Sequence, residues 1–154
     1  MKKCEDVFQT VQKFILQNKL KKNYDFLIVD FHGEITSEKM AMGHFLDGKA
    51  TLVVGTHTHV PTSDLMILEK GTAYQTDAGM CGDYDSVIGG EKHGWVSRFR
   101  NKMPTGRINA SKGEATLSGV YVNIDDKNGL ANKIEPIIIG PILINRTPSH
   151  IKNW

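Results

Sequence analysis

The sequence predicts an α/β fold. Helix-like and strand-like periods alternate over its first half, its central strands are continuously apolar, and an Asn-Gly reversal joins two strands further on. Val7, Phe8, Val11, Phe14 and Ile15 recur at helical spacing, so residues 3–20 read as an amphipathic helix with a polar exit over residues 18–23. Residues 25–31 are the first strand, carrying the run Phe26-Leu27-Ile28-Val29. Thr36 or Ser37 caps a second helix through Phe45, which Asp47-Gly48 stops. Residues 51–56, with Leu52-Val53-Val54, are the next strand. Short, mostly β-branched runs that stop abruptly at polar residues read as parallel strands covered on both faces.

Beyond residue 60 the character changes. Residues 63–71 alternate weakly, as a hairpin strand with its turn, and residues 73–76 form a short strand. Residues 77–90 are a glycine-rich loop, and residues 91–102 suit a helix. Residues 115–124 and 131–139 are two strands reversed through residues 125–129, where Asn128-Gly129 marks the turn. The tail, residues 141–154, has no clear period. No repeat, low-complexity tract or linker divides the chain, so residues 1–154 read as a single domain.

Bulk properties narrow the function. A length of 154 residues suffices to bury a core, and 40% hydrophobic residues with a mean hydropathy of −0.30 are ordinary for a globular protein. A formal charge of +2 is too small to argue for a polyanion or membrane partner. The short cluster Lys19-Leu20-Lys21-Lys22 sits at a helix end, where cations complement the dipole. Cys4 and Cys81 fit neither a disulfide framework nor a Cys-x-x-Cys metal motif, in keeping with a reducing compartment. The first residues lack the continuous apolar stretch of a signal peptide, and no run reaches membrane-span length. The expected location is cytoplasmic.

Chemistry concentrates at two predicted strand ends, Asp30-Phe31-His32-Gly33-Glu34 and Gly55-Thr56-His57-Thr58-His59. Carboxyl ends of strands are where ligands bind in open α/β sheets. His57 and His59 are two apart, so in an extended segment they point the same way. Imidazole is the commonest protein ligand for zinc and similar transition metals. One surface histidine after a glycine means little; a pair with a third on another strand end makes a candidate metal site of His32, His57 and His59.

In two-metal phosphoesterases an Asp-x-His dyad opens the domain, Gly-Asp and Gly-Asn-His motifs follow, and a Gly-His-x-His motif closes it. Here only residues 33–54 separate His32 from Gly55, and they hold one helix and neither intervening motif. His32 is therefore read as the lone histidine that precedes the closing motif. The segments VDFHGEITSEKMAMG (residues 29–43), DGKATLVVGTHTHVPTSD (47–64), GTAYQTDAGMCGDYDSVIG (71–89) and LSGVYVNID (117–125) carry the comparison. In them the chain resembles the bacterial YmdB-like metallophosphoesterases, a branch of the calcineurin-like superfamily. Gly33 stands where alanine is usual and Asp83 where proline is common.

The resemblance implies an αββα sandwich whose amino-terminal half is missing from this chain, leaving a partial metallophosphoesterase domain. It implies a metal-dependent phosphodiesterase or phosphatase for cyclic nucleotides, related phosphodiesters or an RNA end. His32 and His57 would ligate one of two divalent ions, iron, manganese or similar, and His59 the other. Further ligands, including an Asn-His dyad whose histidine protonates the leaving group, come from the other half. This chain has no Asn-His pair, so no catalytic proton donor is assigned.

Three imidazoles facing two dications lack charge neutralisation and bridging ligands. The expectation is thus an enzyme half-domain active only when the amino-terminal half is supplied in trans. The alternatives are an inactive truncated fragment with weak metal binding and a mononuclear three-histidine hydrolase. An uncovered sheet edge and apolar face are expected to make the chain poorly stable and aggregation-prone. Glu34, beside His32, is either an acceptor that orients that ring or a surface carboxylate. Asp77 borders the site, whereas Asp83 and Asp85 read as turn formers. His44, His93 and His150 read as surface or packing residues, Met40 and Met42 as helix or core filler, and Ser86 lacks a nucleophile-elbow context.

Overall fold

A computed structural model describes residues 5–102 and 106–151. Cys4, the first residues of the predicted amino-terminal helix and the end of the tail lie outside them. Element order is α1 (Val7–Gln17), β1 (Ile28–His32), α2 (Thr36–Phe45), β2 (Leu52–Thr56), β3 (Met66–Ile67), β4 (Ala73–Gln75), α3 (Lys92–Asn101), β5 (Leu117–Ile124) and β6 (Ala131–Ile139). The expected α/β alternation is therefore present, element by element.

Several ends differ from the sequence reading: β1 starts at Ile28, α1 ends at Gln17, and the strand expected over residues 63–71 shrinks to Met66–Ile67. Helix α1 starts at Val7, because Asp6 caps it by accepting a hydrogen bond from Gln9 N at 3.0 Å. Helix α2 begins at Thr36 itself, so neither Thr36 nor Ser37 is its cap. Ile35 occupies that position and makes no side-chain capping bond. The tight exit from β1 leaves Thr36 already helical. The reversal between β5 and β6 is as expected: Gly129 adopts φ +74° and donates to Asp125 O at 2.7 Å.

Strands β1, β2 and β4 run parallel and β3 antiparallel, in the order β1-β2-β4-β3; β5 and β6 form a separate antiparallel hairpin. Side-chain alternation splits this sheet into two working faces. Phe31, Val53 and Tyr74 point to one face and bury with Met42 and Leu46 after α2, joined by Val7, Phe8 and Val11 of α1. Leu52, Val54 and Ala73 point to the other and meet Val120, Val122, Ala131 and Ile134 of the hairpin. The result is three layers: helices, sheet, hairpin.

The hairpin does not reach β1. Ile28 lies in register with Leu52, yet it is 55% exposed, and neighbouring Phe26 is 53% exposed. Among the described residues β1 pairs only with β2, so its outer edge is open as well. An uncovered strip of apolar sheet is what the sequence led one to expect.

Close packing of α2 on the sheet has a single-atom limit. A Cβ on Gly43 would sit 2.5 Å from the ring of Tyr74, which is buried and bonded through its hydroxyl to Thr76 Oγ1 at 3.0 Å. Gly43→Ala should therefore destabilise the chain by about 1–3 kcal/mol through overpacking. Gly119→Ala in β5 meets nothing within 4 Å and should be neutral, or stabilising by up to about 1 kcal/mol. Urea titration of both variants checks this, and equal midpoints would contradict it.

Candidate metal centre

Parallel register carries the histidines to one edge of the sheet. His32 is the last residue of β1 and pairs with Thr56, the last of β2, so His57 begins the loop beside it. His32 Nε2 and His57 Nδ1 stand 3.1 Å apart, with the rings edge to face. His57 Nε2 lies 2.5 Å from Glu34 Oε2. His32 Nδ1 lies 3.1 Å from Thr56 Oγ1, whose own proton goes to Asp30 Oδ1 at 2.9 Å.

These outer bonds assign the tautomers. Thr56 has spent its proton on Asp30, so it accepts from His32 Nδ1–H. Glu34 accepts from His57 Nε2–H. Each ring thus uses its N–H outward, and the two nitrogens left facing one another are both lone pairs. Two lone pairs at 3.1 Å repel unless a cation, metal ion or proton, lies between them. A carboxylate or hydroxyl holding the far ring nitrogen is also the usual support of a metal-bound histidine.

The spacing suits a metal. With metal–nitrogen bonds of about 2.1 Å, neighbouring imidazole nitrogens stand about 3.0 Å apart at a right angle and about 3.4 Å apart in a tetrahedron. The 3.1 Å between His32 and His57 falls within that interval. Chemistry and distance of the donor set therefore fit a first-row divalent ion.

His59 is not brought onto this pair. Its Nδ1 donates to Ile88 O at 3.0 Å, which leaves Nε2 as its free lone pair. Among the described residues no group of three or more His, Cys, Asp or Glu side chains is arranged to hold an ion. His32 and His57 are a pair of donors, and His59 is a single donor on its own support. Glu34, 81% exposed, does meet a histidine ring, but that of His57 on the neighbouring strand end and not that of His32 beside it in sequence.

The loop is bent to present these rings. His57 has φ +125° and His59 φ +66°, conformations that cost about 1–3 kcal/mol each outside glycine. Gly55 lets β2 press onto the end of β4, since a Cβ there would lie 1.8 Å from Thr76 O. Beneath the loop, Asp77 Oδ2 accepts from Thr58 N at 2.8 Å and from Lys39 Nζ at 2.9 Å, and Oδ1 accepts from Gly79 N at 2.9 Å. Burial alone would raise the Asp77 carboxyl, but the bonds from Thr58, Lys39 and Gly79 outweigh it and hold it below the usual carboxylate range.

Lys39 was not foreseen. Its signal lay in the spacing: Lys39, Met42, Gly43 and Leu46 share one helix face, and a lysine on an apolar face needs a buried anion. Asp83 Oδ1 accepts from Asp85 N at 2.8 Å as the expected turn former, but Asp83 is also buried, and its Oδ2 accepts from Ser111 Oγ and from Gly113 N at 3.1 Å, tying the loop to residues 111–113. Asp85, read as a turn former as well, instead pairs with Lys92. His44 and His93 are exposed, and the His150 ring lies 4.3 Å from that of Tyr121. Met42 is core and Met40 is partly exposed. Ser86 serves Gly89 N, and Cys81 is free. No described helix is long and apolar enough to cross a membrane.

Residues 1–137 match the sequence profile of the YmdB-like protein family. A Bacillus subtilis (strain 168) protein named 2',3'-cyclic-nucleotide 2'-phosphodiesterase is 49% identical over 118 residues, which are 77% of this chain and 44% of that one. The crystal structure of a novel phosphatase from Mycoplasma pneumoniae superposes with a TM-score of 0.81 at 40% identity, covering 89% of this chain and 47% of that one. A hypothetical protein from Thermus thermophilus superposes at 0.80 with 38% identity, covering 96% of this chain and 54% of that one. The chain spans about half the length of the relatives it matches.

Asp77 gives the loop a pH signature. Its folded pKa lies below the unfolded value of about 3.9, so its contribution to stability is full above that value and is lost as pH falls through the lower, folded one. Asp77→Asn should flatten the fall of the urea midpoint between about pH 5 and pH 2. Some slope will remain from Asp64, whose carboxyl is also held low by bonds from Thr62 and Thr76 against its burial. Identical slopes would contradict the assignment.

Proposed function

Because the chain belongs to the YmdB-like family, we propose that it is part of a metal-dependent phosphodiesterase acting on cyclic nucleotides or related phosphodiesters. The observation that carries the reading is the 3.1 Å approach of His32 Nε2 and His57 Nδ1, each ring backed by an oxygen on its far nitrogen. In this reading His32 Nε2 and His57 Nδ1 hold one divalent ion, and His59 Nε2 contributes to a second. Ions of this kind, iron, manganese or a similar metal, supply positive charge against a phosphate and acidify a bound water.

The chain's own groups set the donors. Glu34 keeps the proton on His57 Nε2, and the Asp30–Thr56 pair keeps it on His32 Nδ1, so the inward nitrogens stay free to bind. The backbone carbonyl of Ile88 does the same for His59. None of these three donors carries negative charge, so two dications need acidic ligands from elsewhere. We propose that polypeptide beyond these 154 residues, joined or in trans, supplies those ligands and the proton donor to the leaving group. The open edge of β1, which ends in His32 and has Ile28 and Phe26 exposed at its start, is where such a segment finds an unpaired strand. A stand-alone mononuclear site of all three histidines is disfavoured, because His59 is held apart from the other two.

Calorimetric titration of the chain with manganese(II) or zinc(II) should give weak single-site binding. His57→Ala should abolish it, and Glu34→Ala should weaken it about 10- to 100-fold. Binding indifferent to His57 would refute the site. For the activity, the amino-terminal half of the Bacillus relative added in trans should restore hydrolysis of 2',3'-cyclic AMP. His59→Ala should remove that turnover; its survival would refute the second-ion role.

A further inference from the structure

We propose that the buried Lys39–Asp77 ion pair is a positioning device that holds the histidine loop in its strained, ring-presenting shape. The proposal extends the metal-site reading, but its physical content, the shape of the loop, does not require that a metal bind.

The pair is an expensive way to fill space. Both side chains are 1% exposed and their charged atoms are 2.9 Å apart. Apolar residues of similar volume would pack such a position at least as well. What they lack is a charged acceptor, and Asp77 puts that charge to use. Its carboxylate takes the main-chain N–H of Thr58, which lies between His57 and His59, and that of Gly79. Its own main chain holds the far end of the same loop: Thr62 N donates to Asp77 O at 3.0 Å, and Asp77 N donates to Thr62 Oγ1 at 2.9 Å. One residue therefore staples residues 58–62 at both ends, with His59 inside the staple. Both histidines flanking Thr58 have positive φ, a shape that persists only where surrounding bonds over-determine it.

Lys39 explains how the carboxylate stays charged inside the protein. Its stem comes from α2 and passes under both histidine-bearing strand ends. A Cβ on Gly33, next to His32, would lie 3.9 Å from Lys39 Cγ, and one on Gly55 would lie 2.9 Å from Lys39 Cδ. Glycine at 55 thus makes room for the Thr76 carbonyl and the lysine stem together. Neutral Asp77 would carry a proton on one of the two oxygens that now accept, weakening its hold on Thr58, Gly79 and Lys39. Lys39 and Asp77 touch no reacting atom here; they act through the loop.

The test uses the full 154-residue chain, isotope-labelled and free of metal, by nuclear magnetic resonance. In the unaltered protein the Thr58 amide should exchange with solvent roughly 100-fold more slowly than the exposed Ser63 amide. Lys39→Met combined with Asp77→Asn removes both charges together and leaves one carbonyl oxygen for two amides. In this double variant the His57 and His59 ring nitrogens should shift, His59 losing its Nδ1–H preference, while the amides of Val120 and Val122 stay in place. A pair that merely packs the core would alter the melting point and leave those ring signals at their original positions. That result in a folded double variant overturns the proposal. Should the variant not fold, Thr58 exchanging as fast as Ser63 in the unaltered protein overturns it instead. Ring signals that move in a chain that binds no manganese or zinc would uphold the positioning role and reject the metal reading, so the two fail separately.

Discussion

Everything at this site depends on how closely β2 approaches β4. At Gly55 the two backbones come together so tightly that a single methyl group would overlap the Thr76 carbonyl. That contact brings the strand end leading into His57 against the strand end leading into Asp77. With β1 in parallel register on the other side, His32 arrives next to His57 without a long side chain or a flexible loop to bridge the gap. A looser sheet would leave the same residues several ångströms apart, and the facing nitrogens would no longer be one ligand spacing from each other. The site is thus a consequence of backbone packing before it is a matter of side-chain chemistry.

The layers around the sheet serve that packing unequally. Helices α1 and α2 bury most of one face, leaving Val29 half-buried, and α2 also sends Lys39 beneath the loop, so the histidine edge is braced from the helix side. On the opposite face the hairpin covers β2 and β4 and stops short of β1. The strand that carries His32 is accordingly the least covered. Its open edge runs up to His32, one of the facing pair. A segment docking there would complete the sheet, cover Ile28 and Phe26, and approach the His32–His57 pair in one step.

Much of this was legible in the sequence. The 3.6- and 2-residue periods located the helices and strands, since burial on one face or two leaves a direct mark in the pattern of apolar residues. The abrupt polar ends of Val29-Asp30 and Val54-Gly55 marked the strand ends at which the structure brings His32 and His57 together. Less legible was whatever depends on two distant segments meeting. Glu34 was ambiguous because nothing in its neighbourhood names His57 as its partner. The Ile88 carbonyl that supports His59 belongs to a loop whose path no local rule gives. Lys39 looked like a solvent residue by type, and only its place among Met42, Gly43 and Leu46 betrayed it. Asp77 was read as bordering a site when it lies under one.

The central claim is that the His32 and His57 nitrogens face one another because an ion belongs between them. Anomalous diffraction from crystals of this chain grown with manganese(II) or zinc(II) addresses it directly. The account predicts a peak bonded to His32 Nε2 and His57 Nδ1, with Glu34 still on His57 Nε2 and Thr56 still on His32 Nδ1. A peak elsewhere, or a His32–His57 pair turned apart with no ion between the rings, would contradict it.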